Sequence, residues 1–154
     1  MAISVTTAMP NSFKVELLKG VHNFTTSTGD TFKLALLKAT ASGSGTYGAS
    51  TTSYNEMVAN GDELANGNGY TTGGATLASV TPVLDGTVAV CDFGDVSLTS
   101  ATFTSCGGII YNSTASGNPA CAVLSFGGDY AVNVGTFQVV FPLPYASSAI
   151  IKIS

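Results

Sequence analysis

The chain has one histidine, His22, so a catalytic mechanism that needs an imidazole base must use it. His22 stands two residues after Gly20, where a helix is expected to end, and a histidine there commonly contacts the last carbonyl groups of the helix. A serine nucleophile would need a strained turn before a helix. Gly43-Ser44-Gly45 lacks both the full Gly-x-Ser-x-Gly motif and a following helix. We therefore predict no catalytic residues.

The three cysteines, Cys91, Cys106 and Cys121, are evenly spaced. Zinc sites usually bring ligand pairs two to four residues apart, and this spacing does not. The Met1–Val5 start has no basic region and no long apolar region, so no secretory signal is expected. We predict reduced, buried thiols in a chain made in a cytoplasm.

Two carboxylate pairs could bind a cation. Asp92 and Asp95 flank Phe93-Gly94 and could share Ca²⁺ with backbone carbonyls, and Asp62-Glu63 could do likewise. Neither resembles an EF-hand loop, and acids that cap turns are far commoner. No pair is singled out for glycoside hydrolysis. We predict no metal-binding or cofactor-binding residues.

Three tyrosines, Tyr47, Tyr54 and Tyr70, fall in the loop-rich stretch 41–74. Exposed there, their rings could serve a protein interface or stack on a sugar. The chain has no tryptophan, which weakens the sugar interpretation. A glycan-binding β-sandwich remains an alternative.

Charge is scarce. Only 9% of the 154 residues are charged, where about 25% is typical, and the net charge is −4. All five basic residues are lysines, so nucleic acid is not expected as a direct partner, and no run approaches the length of a membrane helix. A surface this poor in charge indicates cover by copies of the chain or by partners. A Ser/Thr-rich surface that is soluble without charge is the alternative.

The elements that must position these residues are mostly strands. Ser12 as an N-cap and Gly20 as a terminator predict one short helix between them. Asp85-Gly86 predicts a hairpin turn, and Tyr54–Ala59 a helical turn. The predicted strands are Thr31–Leu36, Ala75–Val80, Val83–Leu84, Thr87–Phe93, Ser97–Thr104, Gly108–Asn112, Cys121–Phe126, Asn133–Phe141 and Ala149–Ile153. This pattern predicts a single all-β domain over residues 1–154, a β-sandwich or jelly roll with one short N-terminal helix.

Several stretches resemble a family of small virion proteins from tailed phages and prophages. These stretches are 10–24, 30–36, 69–77, 100–104, 108–114, 123–129 and 149–153. They run nearly end to end and consist of turns and strand cores. Relatives often carry an arginine where this chain has Cys106, so a contact made by that arginine would be absent or different here.

The resemblance implies a non-enzymatic structural protein of the virion. One placement is a capsid cement or decoration protein that bridges subunits of the major capsid protein and forms a homotrimer. The other is a tail, baseplate or fibre-associated protein. Size, a compact β domain and the lead 1–11 favour cement. We expect that lead to be an extended arm that orders on a neighbouring subunit, so deleting residues 1–9 would leave the domain folded but impair incorporation. An edge strand of its own sheet is the alternative for the lead.

Overall fold

The computed structural model describes residues 1–154, and β strands dominate it. The all-β prediction is confirmed to that extent. The strands are β1 Ser4–Val5, β2 Phe32–Leu36, β3 Thr46–Tyr47, β4 Ala75–Thr76, β5 Ser79–Asp85, β6 Val88–Phe93, β7 Val96–Asn112, β8 Ala120–Val139 and β9 Ile151–Ile153, and the helices are α1 Asn11–Leu18 and α2 Tyr54–Asn60. Neither helix has the length and apolar character that crossing a membrane would require.

The strands form three sheets. The largest is antiparallel, in the order β4-β2-β7-β8. A second antiparallel sheet has the order β5-β6-β9, and β1 pairs in parallel with β3. Two strands that the sequence divides in four are continuous: β7 includes both Ser97–Thr104 and Gly108–Asn112, while β8 joins Cys121–Phe126 to Asn133–Val139. The breaks in pattern are β-bulges, which shift the side-chain alternation without ending a strand.

The largest sheet is covered on both faces. Successive side chains of β2 and the residue after it enter two different buried clusters, one on each face. Phe32, Leu34 and Leu36 enter a cluster of 17 buried residues, to which β6 and β9 also contribute. Ala35 and Leu37 enter a second cluster of 10 buried residues, with side chains from β1, β3 and α2. A strand with two apolar faces is typical of a sheet between two layers.

Helix α1 begins and ends much as predicted, but its capping differs. Gly20 has a φ of +69°, the left-handed conformation expected of a residue that ends a helix. The helix begins after Pro10 rather than at a serine cap, and the buried Ser12 hydroxyl has no hydrogen-bond partner. Phe13 is fully buried, whereas Leu18 is 92% exposed, so only a narrow face of the helix packs against the domain.

The predicted hairpin between β5 and β6 is confirmed with its turn shifted by one residue. Asp85 pairs with Val88, which leaves Gly86 and Thr87 as the two-residue loop. Only Gly86 of these two has a positive φ, +63°. A type I′ turn needs a positive φ at both positions, so this loop is not the turn that the Asp-Gly pair predicted.

The N-terminal lead is extended, but it lies on its own domain. Ile3 is 4% exposed in the second cluster, and Ser4 and Val5 pair with β3. Ala8 exchanges two backbone hydrogen bonds with Val123 of β8. This arrangement is that of the alternative, an edge strand of its own fold, and not of an arm that orders only on a neighbour. Deleting residues 1–9 would therefore remove a core side chain and destabilise the domain.

Candidate assembly surface

The second half of β8 and the residue after it carry a group of exposed and half-buried apolar side chains. Phe126, Tyr130, Phe137, Val139 and Val140 line one shallow depression of about 250 Å³. Tyr130 is 57% and Val140 66% exposed. The Phe126 ring contacts those of Tyr130 and Phe137, with centroids 6.4 and 5.8 Å apart. We call these five residues the β8 surface.

A bulge in β8 places Phe126 on this surface. Ser105 pairs with Tyr130 and Gly107 with Ser125, so the four residues 126–129 lie opposite Cys106 alone. Asp129 fixes the bulge, because its Oδ1 accepts hydrogen bonds from the Thr40 backbone N–H (2.8 Å) and hydroxyl (2.6 Å). These bonds lower the pKa of the Asp129 carboxyl. The bulge therefore sets the position of the half-buried Phe126, which packs against the first core cluster at this surface, and bulges often re-aim a side chain in this way.

A larger groove of about 410 Å³ continues from the β8 surface. The two share Phe126, Val139 and Val140. Thirteen of the sixteen residues that line the groove are hydrophobic, including Met9 from the N-terminal lead and Ile150 next to β9. The apolar area therefore extends from the edge of the largest sheet to the C-terminal strand. The groove and the β8 surface together form the candidate contact area.

Charge is absent from this part of the chain. No Asp, Glu, Lys, Arg or His occurs from Tyr130 to Ile151. Leu143 and Tyr145, in the same segment, are 63% and 56% exposed. Free surfaces normally intersperse charges among such side chains, and interface centres are depleted of them.

The one histidine is buried in a hydrogen-bonded network and caps no helix, contrary to the sequence expectation. Its Nε2 lies 2.9 Å from a Glu16 carboxylate oxygen, and its Nδ1 lies 3.1 Å from the Asn112 amide nitrogen. That amide also donates to Asp30 at 2.7 Å. An Nδ1 that accepts from Asn112 leaves the proton on Nε2, where it is donated to Glu16. The network links the end of α1 to the end of β7.

Cys121 lies beside this histidine, with its Sγ 3.8 Å from Nδ1 of His22. A thiol, an imidazole and a carboxylate together could form a nucleophilic site. Cys121 is fully buried, however, and burial raises its pKa well above the ordinary value. A nucleophile must be reachable and must form a thiolate, and this thiol meets neither condition.

The other two cysteines are also free and buried. Burial raises the pKa of Cys91 to about 12 and also raises that of Cys106. Cys106 is 2% exposed in the second cluster. Position 106 therefore offers no interface contact in this chain.

Asp62 is a buried structural carboxylate, 1% exposed. Its oxygens accept hydrogen bonds from the backbone N–H groups of Ser44 (3.2 Å) and Gly45 (2.8 Å) and from the Tyr47 hydroxyl (2.8 Å). It thereby joins the end of α2 to the loop before β3. The three donors occupy the oxygens that a cation would need.

Glu63, 9% exposed, is a second structural carboxylate, next to the first in sequence. The hydroxyls of Tyr54 and Tyr70 donate to its two oxygens at 2.6 and 2.7 Å, and the Gly73 N–H donates at 2.6 Å. Tyr47 and Tyr70 are 1% and 3% exposed, so their rings cannot stack on a sugar. Buried tyrosines need partners for their hydroxyls, and the two adjacent acids supply them.

The members of the other candidate carboxylate pair, Asp92 and Asp95, differ in their hydrogen bonding. Asp95 accepts a hydrogen bond from the Phe141 N–H at 2.9 Å and so fixes the segment after β8. One buried oxygen of Asp92 has no hydrogen-bond partner. No group of three or more His, Cys, Asp or Glu side chains is arranged to hold a metal ion.

No protein-family model, curated protein or solved structure matches this chain.

The buried thiols and phenols predict a loss of stability in alkali. Burial raises the pKa of Tyr111 to about 12 from 10.0, and that of Cys91 to about 12 from 9.0. The unfolded chain then loses these protons first, so unfolding releases protons and stability falls as pH rises. Each group should lower the free energy of unfolding by about 1.4 kcal/mol per pH unit between its two pKa values.

Urea unfolding from about pH 9 to about pH 12 measures this loss. Cys91→Ala, measured alongside, should reduce the slope by one group's contribution. A free energy of unfolding that stays constant over this range would contradict the assignment of these groups as buried and protonated.

Proposed function

We propose that this chain is a non-enzymatic structural protein of a tailed-phage virion, acting as a capsid cement or decoration protein. Its partners would be the major capsid protein and copies of itself. Its two larger sheets, which share one apolar cluster, would correspond to the layers of a virion-type β-sandwich or jelly roll. The supporting observation is the apolar β8 surface, continuous with the groove and followed by a segment without charge.

The mechanism would be binding without chemistry. Many copies would each contribute a modest contact, and repetition over a lattice makes the total large. The β8 surface suits this role because burying apolar area contributes about 25 cal/mol per Å².

Location on the tail, baseplate or fibre is the second placement, and it would use the same surface. The glycan-binding alternative loses its main support, because Tyr47 and Tyr70 are buried and their hydroxyls are held by Asp62 and Glu63. We therefore do not propose it.

Reconstitution onto capsids tests the proposal. Capsids from particles that lack this protein would be mixed with the purified full chain, and bound copies counted after sedimentation. We expect saturable binding in many copies and greater resistance of the capsids to heat. Binding to isolated tails instead would favour the second placement.

A pair of lysine variants tests whether the β8 surface is responsible. Val140→Lys places a charge on the surface at a side chain 66% exposed, and Leu84→Lys does the same on β5 at a side chain 72% exposed. We expect Val140→Lys to weaken capsid binding at least tenfold, about 1.4 kcal/mol, and Leu84→Lys to leave it unchanged. Equal binding of both variants and the unmodified chain would refute this use of the surface.

A further inference from the structure

The outer edge of β8 is unpaired along most of its length. β8 is the last strand of its sheet, and only its first part is covered, by Ala8 and the Thr7 hydroxyl. From Tyr130 to Gln138, β7 pairs with the inner side of β8 and no strand pairs with the outer side. Soluble proteins protect such edges with lysine, proline, bulges or a covering segment, because an open edge pairs with other chains. This stretch contains no proline and no charged residue, and its one irregularity is the bulge around Val134, whose N–H donates inward to the Thr102 hydroxyl at 2.9 Å.

The other edges of the molecule are protected or short. On β5, Pro82 lacks an N–H, and Thr26 covers the edge through hydrogen bonds with Thr81 and Ser79. At the opposite edge of that sheet, β9 has only three residues. On β7, the stretch Val96–Ser105 also has no strand on the side away from β8, but the loop at Asn68 and Gly69 lies against it, and the Asn68 carbonyl accepts a hydrogen bond from the Thr102 N–H at 3.0 Å.

Val134 marks the centre of this open edge. It is 82% exposed and has a φ of +47°, a conformation that β-branched residues rarely adopt. In an isolated chain this position has two costs, the exposure of an apolar side chain to water and the strain of a left-handed backbone at a β-branched residue. Burial of the side chain against a partner would remove the cost of exposure.

We propose that the edge Tyr130–Gln138 pairs antiparallel with the same edge of a second copy, about a two-fold axis near Val134. Ala131 would then lie opposite the second copy's Phe137, and Tyr130 opposite its Gln138, so that large side chains face smaller ones. No like charges meet, because the stretch has none.

The length of the edge fits a stable interface. Nine residues of antiparallel strand extend about 30 Å. A standard interface covers about 800 Å² on each partner, which as a round patch is about 32 Å across. Backbone pairing along the edge, with the β8 surface beside it, can supply an area of that size.

This inference rests on the proposed role as a building block, but its test is separate. Sedimentation velocity of the full chain over a concentration series would compare the unmodified protein with Val134→Lys and Leu84→Lys. At the axis, two lysines at position 134 would face each other. We expect a monomer–dimer equilibrium for the unmodified chain and Leu84→Lys, and a dissociation constant at least tenfold higher for Val134→Lys. Thr136→Lys, on the same exposed edge, replaces it if Val134→Lys does not fold.

An unmodified chain that stays monomeric, that forms trimers, or that associates as well with the edge lysine as without it would overturn the pairing. The capsid reconstitution separates this failure from that of the proposed function. A chain that binds capsids as a monomer refutes the pairing alone, and a dimer that binds neither capsids nor tails refutes the virion role alone.

Discussion

Replacing Glu63 with alanine is expected to lower the free energy of unfolding by about 3 to 5 kcal/mol. The change leaves the Tyr54 and Tyr70 hydroxyls and the Gly73 N–H without their acceptor. Each unpaired buried donor costs about 1 to 3 kcal/mol, and the lost methylenes leave a cavity as well. Chemical denaturation of the purified chain measures the change.

Glu63→Gln is the matched control, because it keeps the shape and one acceptor oxygen. A tyrosine hydroxyl can rotate to accept from the amide nitrogen, so the loss should be about 1 to 2 kcal/mol. If Glu63→Ala were as stable as Glu63→Gln, the carboxylate would not hold the three segments together in solution.

The second large effect is expected at Gly74. It has a φ of +84°, and a Cβ there would clash with the backbone of β2, 2.7 Å from the Ala35 nitrogen and nearer still to the Leu34 carbonyl. Because β2 lies inside the sheet between β4 and β7, it cannot move aside cheaply. We expect Gly74→Ala to lower the free energy of unfolding by about 4 kcal/mol or more.

Gly73→Ala separates the clash from the backbone strain. Gly73 has a similar φ, +92°, but a Cβ there would have only the Tyr111 hydroxyl nearby, at 3.8 Å. Its loss should be about 1 to 2 kcal/mol, the strain alone. Equal losses in the two variants would mean that β2 and the Gly74 segment do not approach as closely as described.

Local sequence patterns were enough to predict the β-rich class, helix α1 and the hairpin of β5 and β6. Each depends on neighbours in sequence: Gly20 ends the helix, and alternation in Phe32–Leu36 defines a strand. The local pattern could not predict that β7 and β8 are each one continuous strand. Bulges such as the one at residues 126–129 interrupt the period of two, and a local pattern then resembles a break between strands.

The contacts of the buried polar groups were harder still to predict, because their partners are distant in sequence. His22 is held by Asn112, ninety positions away, and nothing local to either residue indicates that contact. Asp62 and Glu63 do carry a signal. They stand among three tyrosines in a stretch with few cations, and buried phenols require acceptors. The low charge of the whole chain predicted a covered surface without placing it, and only the fold shows where the exposed apolar side chains lie.

If this chain is a repeated part of a virion shell held through its β8 surface, a cryo-EM reconstruction of the particles that carry it will show where it sits. We expect density for many copies on the outside of the capsid lattice, with Tyr130 and Val140 buried against capsid subunits or a second copy. Particles that contain no copy of the chain, or copies whose β8 surface faces only solvent, would contradict it.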